Sequence, residues 1–315
     1  MSQATNRTLE QKLAAISDYF ALGTVKFARR AMGTNQNYYV ATDSGRYLFK
    51  IIVNTTVEDV ENGLPYLNRL EECQFAMTAY YLRAANGEAI YKSYDCNAVV
   101  LHRLPGKMPR TSENVCREVG INLAKLHLIP SDCLPPKRHW LDNDYLPENI
   151  TAAVRMFGTD KLKETLSVYH SFGNFRPANY PQSIIHGDLD TTNCLFVGGT
   201  ISAFLDWQEV GIGACVIDFA STVLGFCFID EDEASNYWAK FNPDLYLALY
   251  NAYVQVRPFS ISEQDVIEVA AKYVGLTQLV WSILHWQQYH PDTEMIETNT
   301  LYWKFGLDTL RLPTR

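Results

Sequence analysis

One stretch of the chain carries residue types that can do chemistry together. In His186-Gly-Asp-Leu-Asp-Thr-Thr-Asn193, Asp188 and Asn193 stand five residues apart on a loop between two expected strands. Asp206 stands at the exit of a hairpin that starts just after Asn193; the hairpin must fold back, so Asp206 returns beside the loop. That gathers two carboxylates and an amide oxygen at one edge. Asn193 and Asp206 are hard oxygen donors of the kind that suits Mg²⁺, which takes few protein ligands and completes its shell with water and phosphate. Asp188 is left to accept a proton from an attacking hydroxyl, which is the division of labour in phosphoryl transfer.

A second group fits the same chemistry. Lys50 lies near the end of an expected strand, where its ammonium could reach phosphates, and Glu58 and Glu61 on the next expected helix are both open as its partner. Gly33-Thr-Asn-Gln-Asn37 lies between expected strands, and Gly33 and Asn35 belong to a turn that could cover phosphates with backbone N–H groups. It is not G-x-G-x-x-G, and no G-x-x-x-x-G-K-[ST] is present, so a P-loop is excluded.

These residues need elements to position them. Leu9, Leu13, Ile16 and Phe20 predict a helix over 9–20. Segments 37–42 and 47–52, joined by Asp43-Ser-Gly45, predict a hairpin, and Val60, Leu64, Leu67 and Leu70 a helix over 57–73. Ala98–Leu101 reads as a strand, broken by Leu104-Pro-Gly106. Val115, Val119, Leu123 and Leu126 predict a helix capped by Thr111 or Ser112. Prolines make 130–147 a loop; 148–172 reads as helix, 183–185 as strand, and 194–197 with 200–205 as a hairpin turning at Gly198-Gly199. From about Cys215 the pattern is mostly helical. The expected division is a small lobe, 1–103, and a larger one, 104–315, with a cleft between lobes as the favoured place for a ligand.

Composition narrows the class. The chain has 315 residues, 47% hydrophobic and 20% charged, as a globular protein of roughly two domains does. The net charge of -8 argues against sequence-independent nucleic-acid binding. The longest apolar run, Leu245–Tyr250, is far short of the roughly 18 residues that span a bilayer, and Met1–Tyr19 lacks a secretory apolar core. Seven scattered cysteines with no C-x-x-C pair read as reduced thiols. The expectation is a cytoplasmic protein without nucleic-acid or membrane partners; nothing in the sequence sets an oligomeric state.

His-Gly-Asp-Leu-x-x-x-Asn, followed by Leu205-Asp-Trp207 and Ile217-Asp-Phe-Ala220, resembles the aminoglycoside phosphotransferase/choline kinase superfamily. Tyr47–Lys50 is similar to its ATP-lysine strand, Val99–Gly106 to its hinge and Leu123-Ala-Lys-Leu-His127 to its L-A-x-L-H helix, so the likeness covers nearly the whole chain. It implies an α+β, protein-kinase-like bilobal fold, with a β-rich N-terminal nucleotide-binding lobe and a helical C-terminal catalytic and substrate lobe holding a catalytic-loop hairpin. It implies ATP and Mg²⁺ as cofactors, Asp188 as base, Asn193 and Asp206 as metal ligands and Lys50 on the phosphates. It further implies backbone groups of Leu101–Leu104, Arg103 among them, on adenine, and His186 and Asp218 as supports of the loop. Within the superfamily, Asn37–Phe49, Leu224–Ile229 and Ala248–Glu263 resemble bacterial homoserine kinases of the protein-kinase-like type. Asp206-Trp-Gln-Glu209 departs from the D-F-Y-F usual in that group, and D-W is commoner in aminoglycoside and choline kinases.

The expected activity is transfer of phosphate to a hydroxyl of a small molecule, foremost L-homoserine. The alternatives are choline, ethanolamine, an amino sugar or an aminoglycoside, and, further off, a non-catalytic nucleotide binder. D-F-G and A-P-E are absent, against a protein kinase. Arg257 is a candidate for the acceptor's carboxylate. His127 reads as a hydrogen-bonded core histidine. Trp281, Trp286, Tyr289 and Tyr302 read as core or cleft lining, with a cage for a quaternary ammonium as the sharper alternative. Asp230–Glu233 reads as a solvated loop that could also meet a cationic substrate.

Overall fold

A computed structural model describes residues 7–31, 35–137, 139–160, 162–230 and 239–287. Gly33, Glu233, Tyr289 and Tyr302 lie outside them. The chain forms two compact units, Met1–Pro105 and Gly106–Arg315, dividing two residues beyond the boundary expected from sequence.

The first unit is an antiparallel sheet covered on both faces. Strands β1 (Phe27–Arg30), β2 (Gln36–Ala41), β3 (Arg46–Ile51), β4 (Ile90–Lys92) and β5 (Asn97–His102) lie in the order β1-β2-β3-β5-β4. Helix α1 (Leu9–Tyr19) is opened by a reciprocal cap between Thr8 and Gln11. It sets Leu13 and Ile16 on the face made by Tyr38, Val40, Phe49, Ala98 and Val100. Alternation along a strand sends the next residues to the opposite face. There Val99 and Ile90 meet Val57, Val60 and Leu64 of α2 (Val57–Glu72), which starts on a Thr56–Asp59 capping box. Lys50 pairs with Val99 in register, so it stands on this second face. Strands β1 and β4 carry no clear alternating pattern in the sequence; pairing with neighbours makes them.

The second unit is mostly helical: α3 (Glu113–Leu126), α4 (Tyr145–Phe157), α5 (Lys163–Ser171), α6 (Cys215–Phe226), α7 (Pro243–Val256), α8 (Ile261–Gln264) and α9 (Ile267–Gln287). Ser112 caps α3. Helix α4 starts three residues earlier than expected, because Pro147 falls in its first turn, where a missing N–H costs nothing. The helix expected over 148–172 is two, separated after Gly158, whose φ of 81° ends α4. Helix α3 packs on α7 so closely that a Cβ on Gly120 would stand 2.5 Å from the Leu249 carbonyl oxygen. Within α9, Ile267–His285 is long and apolar enough to cross a membrane, yet 61% of that window is buried against this unit, as a core helix is.

Strands β6 (Gln182–Ile185), β7 (Cys194–Val197), β8 (Thr200–Phe204) and β9 (Gly211–Ala214) form two antiparallel pairs, β6 with β9 and β7 with β8. A further short pair joins β10 (Phe228–Asp230) and β11 (Ala239–Phe241), where the sequence pattern had suggested helix. β9 escapes sequence patterning because it is half glycine. The glycines are needed: a Cβ on Gly211 would stand 2.7 Å from the His139 ring.

Candidate active site

The 186–193 loop leaves β6 and enters β7, and its shape is set by one buried carboxylate. Asp218, in the first turn of α6, is fully buried. Its Oδ2 accepts the His186 N–H at 2.9 Å and its Oδ1 the Gly187 N–H at 2.8 Å. His127, at the end of α3, adds its Nε2 at 3.0 Å. Burial alone would raise the Asp218 pKa; the bonds from His127 and the loop outweigh it and hold the carboxyl below its usual range. Asp218 is therefore an anion fastening the start of the loop.

His186 locks the loop's other side. Its Nε2–H donates to the Leu205 carbonyl at 2.8 Å, and its Nδ1 accepts the Asp188 N–H at 3.3 Å, which fixes the tautomer. Burial lowers its pKa, so the ring is neutral. Gly187 has a φ of 83°, and a Cβ there would stand 2.8 Å from the Glu209 carbonyl oxygen, so only glycine fits. The Trp140 indole N–H donates to the Gly187 carbonyl at 2.7 Å. Sequence reasoning did not pick out Trp140, because nothing in residues 130–147 shows where that loop docks. Nor did it assign Asp190, whose carboxylate accepts the N–H groups of Thr192 at 2.7 Å and Asn193 at 3.0 Å and so shapes the turn before β7.

Within this frame the structure brings Asp188, Asn193 and Asp206 to one edge. Asn193 Nδ2 donates to the Asp188 carbonyl oxygen at 2.8 Å and to Asp188 Oδ2 at 3.2 Å. The Asn193 carbonyl accepts the Leu205 N–H at 2.8 Å, which sets Asp206 beside it. The hairpin is held on α3 by Asn114 to Gly199 and by Glu118 to Ile201. Asp206 has a left-handed backbone, φ 57° and ψ 63°, which Asp tolerates better than most residues. Lys137 fixes the turn that follows, donating to the carbonyls of Gln208 and Val210.

Acidic side chains crowd this edge. The Asp188 carboxylate reaches solvent but sits in a crowded recess; desolvation, then the charges of Asp190, Asp206 and Glu209, push its pKa up to about 7, against the lowering bond from Asn193. The Asn193 amide spends its NH₂ on Asp188, so its oxygen is turned away from that residue, and an amide oxygen and a carboxylate are hard donors of the kind a divalent cation takes. Among the described residues no three His, Cys, Asp or Glu side chains form a group that could hold a metal ion by themselves.

The residues expected to meet nucleotide belong to the first unit. Lys50 is half-buried on the α2 face of the sheet. Glu61, one of its two expected partners, is ion-paired with Lys92. Asn35 is fully buried, and its Oδ1 accepts the N–H groups of Val53 at 3.0 Å and Asn54 at 3.2 Å. Its side-chain oxygen thus ties the turn to the segment just after β3, while its Nδ2 is buried without a hydrogen-bond partner. Leu101 lies opposite Leu48 in β3 and bridges Tyr81. Arg103 gives its N–H to the Arg46 carbonyl and lays its guanidinium over the Tyr39 ring at 4.6 Å. Arg257, the candidate for an acceptor carboxylate, is instead paired with Glu263 and only 12% exposed. Trp281 is exposed and stacks on His285.

An antiparallel sheet flanked by helices, followed by a helical unit with a loop and hairpin inserted before a buried-aspartate helix, is a protein-kinase-like α+β fold. The chain belongs to the phosphotransferase enzyme family, whose sequence profile matches residues 29–257. It is similar to the homoserine kinase of Methylocella silvestris, with 26% identity over 95% of this chain and 93% of that one. Among solved structures it resembles an amicoumacin kinase in complex with AMP-PNP and Ca²⁺, with a TM-score of 0.73 and 13% identity over 96% of this chain and 94% of the other. It also resembles a choline kinase of Streptococcus pneumoniae, with a TM-score of 0.62 and 12% identity over 96% and 100%.

Proposed function

We propose that the protein is an ATP- and Mg²⁺-dependent kinase that phosphorylates the side-chain hydroxyl of L-homoserine. The observation that carries the chemistry is the anchoring of Asn193 on Asp188, next to the strand end that bears Asp206; it supports a cation role for the Asn193 amide oxygen with Asp206 and a proton role for Asp188. The likeness to a homoserine kinase over nearly the whole of both chains supports the acceptor.

In this reading the first unit binds nucleotide and the second holds the catalytic and acceptor groups. MgATP, when bound, supplies the phosphoryl group and the cationic charge that offsets the charge developing on it. Asn193 Oδ1 and the Asp206 carboxylate hold the ion, and Lys50 binds phosphate oxygens. Asp188 accepts the proton of the acceptor hydroxyl and orients its oxygen for in-line attack; a base titrating near neutrality suits that task. His186 and Asp218 hold the loop. Glu209 lies against Gly187, and its charge acts on Asp188, so an acceptor bearing an ammonium group meets a negative field there.

The test is coupled ADP release with MgATP and L-homoserine, choline, ethanolamine, L-serine, N-acetylglucosamine or kanamycin, with Asp188→Ala as blank. Homoserine-dependent turnover that the blank lacks is expected. Turnover with another alcohol alone would overturn the homoserine assignment, and MgATP binding without any turnover would overturn the catalytic one.

A further inference from the structure

The segment Tyr253-Val-Gln-Val-Arg-Pro-Phe-Ser-Ile-Ser-Glu263 takes no part in the chemistry above, yet it ends in contact with it. We propose that Tyr253 is a positioning residue: its phenol holds the Nδ1 side of the His127 ring, whose Nε2–H in turn steadies the Asp218 carboxylate that grips the backbone of the Asp188 loop.

The direction of every hydrogen bond in the chain of contacts follows from its end. An ionised carboxylate only accepts, so His127 Nε2, 3.0 Å from Asp218 Oδ2, carries a hydrogen. His127 is buried, and burial keeps its ring neutral against the raising effect of Asp218. Nδ1 is then a bare acceptor, and the Tyr253 hydroxyl, 2.7 Å away, must donate to it. The same hydroxyl oxygen accepts from Arg257 Nη1 at 3.2 Å. Arg257 Nη2 donates to Glu263 Oε1 at 3.0 Å, and Glu263 is 1% exposed, its other oxygen taken by Ser260 N–H and Oγ–H. From Arg257 through Tyr253 and His127 to Asp218 the donors all point one way, an arrangement in which each bond polarises the next. Phe259 stacks on the Tyr253 ring at 4.6 Å and 14°, so the phenol cannot swing aside. A fully buried phenol with fixed neighbours on both sides does more than fill space: by donating to Nδ1 it holds the His127 ring so that its Nε2–H stays on Asp218.

The kinetic part of the test rests on the kinase reading, and the spectroscopic part does not. In protein labelled with ¹⁵N histidine, without nucleotide or acceptor, His127 is expected as the Nε2–H tautomer, protonating only on the acid side of the ordinary histidine range. In Tyr253→Phe the His127 Nδ1 signal is expected to shift as it loses its donor while Nε2 stays protonated, and the His186 and Gly187 amide signals to move as the ring loosens. The kcat should fall about 10- to 100-fold, as misplacement of a reacting group does, with KM for ATP within about twofold. Arg257→Lys keeps the charge on Glu263 but lacks the fork that also serves Tyr253; it is the milder variant if Tyr253→Phe does not fold, and should move the same signals less. A wild-type His127 protonated at Nδ1, or a folded Tyr253→Phe with unmoved signals, would overturn the proposal. Absence of turnover in the wild type would instead overturn the kinase reading and leave the spectra to decide this one.

Discussion

Asn193 turns its side-chain N–H groups onto Asp188, bonding both the backbone oxygen at 2.8 Å and the carboxylate at 3.2 Å. One amide thereby links the two functions proposed for this edge, steadying Asp188 with its nitrogen and keeping its oxygen off that residue.

Asp188→Asn keeps the shape of the side chain and removes its basicity. We expect kcat to fall by about 10²- to 10⁴-fold, the usual share of a general base, with MgATP affinity nearly unchanged. Calorimetry of MgATP binding beside steady-state rates checks this; unchanged turnover would remove Asp188 as base.

Asp206→Asn is matched to its backbone, since asparagine also tolerates the left-handed region that Asp206 occupies. The fold should persist while the divalent-cation requirement for nucleotide binding rises by about tenfold or more. Titrating Mg²⁺ at fixed ATP reads this directly, and an unaltered requirement would show that the metal is held elsewhere.

Acid should destabilise the protein, with a definite sign. The folded-state pKa values of His127 and His186 are lowered, by burial above all. The unfolded chain therefore binds protons below about pH 6.5 that the folded chain refuses, and stability falls as pH falls. Asp188 acts in the opposite sense: its folded pKa is raised to about 7, so the folded chain holds a proton there that the unfolded chain does not. Two groups oppose one, and the net loss should appear as a lower urea midpoint at pH 5.5 than at pH 7.5. Asp188→Asn removes the opposing group, so its decline should be the steeper of the two. Parallel declines in wild type and variant would contradict this account.

Gly120→Ala tests the α3–α7 contact apart from catalysis. The added Cβ would stand 2.5 Å from the Leu249 oxygen and 3.2 Å from the Tyr253 nitrogen, and neither is a flexible tip. A cost of about 1–3 kcal/mol is expected from overpacking of this kind. A thermal midpoint equal to wild type would mean that the two helices yield more easily than their spacing implies.

How much of this was legible beforehand depended on the kind of signal. The 57–73 helix and the 47–52 strand were readable because each carries its own periodicity and caps or turns; the observed helix ends one residue earlier and the observed strand is shifted by one residue at both ends. The Asp188–Asn193–Asp206 grouping was readable because a two-glycine hairpin can only fold back. Strand β9 was not, because glycines carry no pattern, and the split of 148–172 was not, because a single Gly158 decided it.

What the sequence by itself determined is therefore the local part: which segments alternate or repeat, where turns fall, and which three side chains a tight hairpin must gather. Tertiary structure alone decided the rest. Asp218 meets His186 from 32 residues away, His127 from 91, and Tyr253 meets His127 from 126. Arg257 went to Glu263 rather than to an open pocket, and Glu61 to Lys92. The buried pairings depend on which donors are left facing which acceptors once the helices have packed, because an unsatisfied buried group is costly, whereas the exposed Glu61–Lys92 pair follows from the packing of α2 on the sheet.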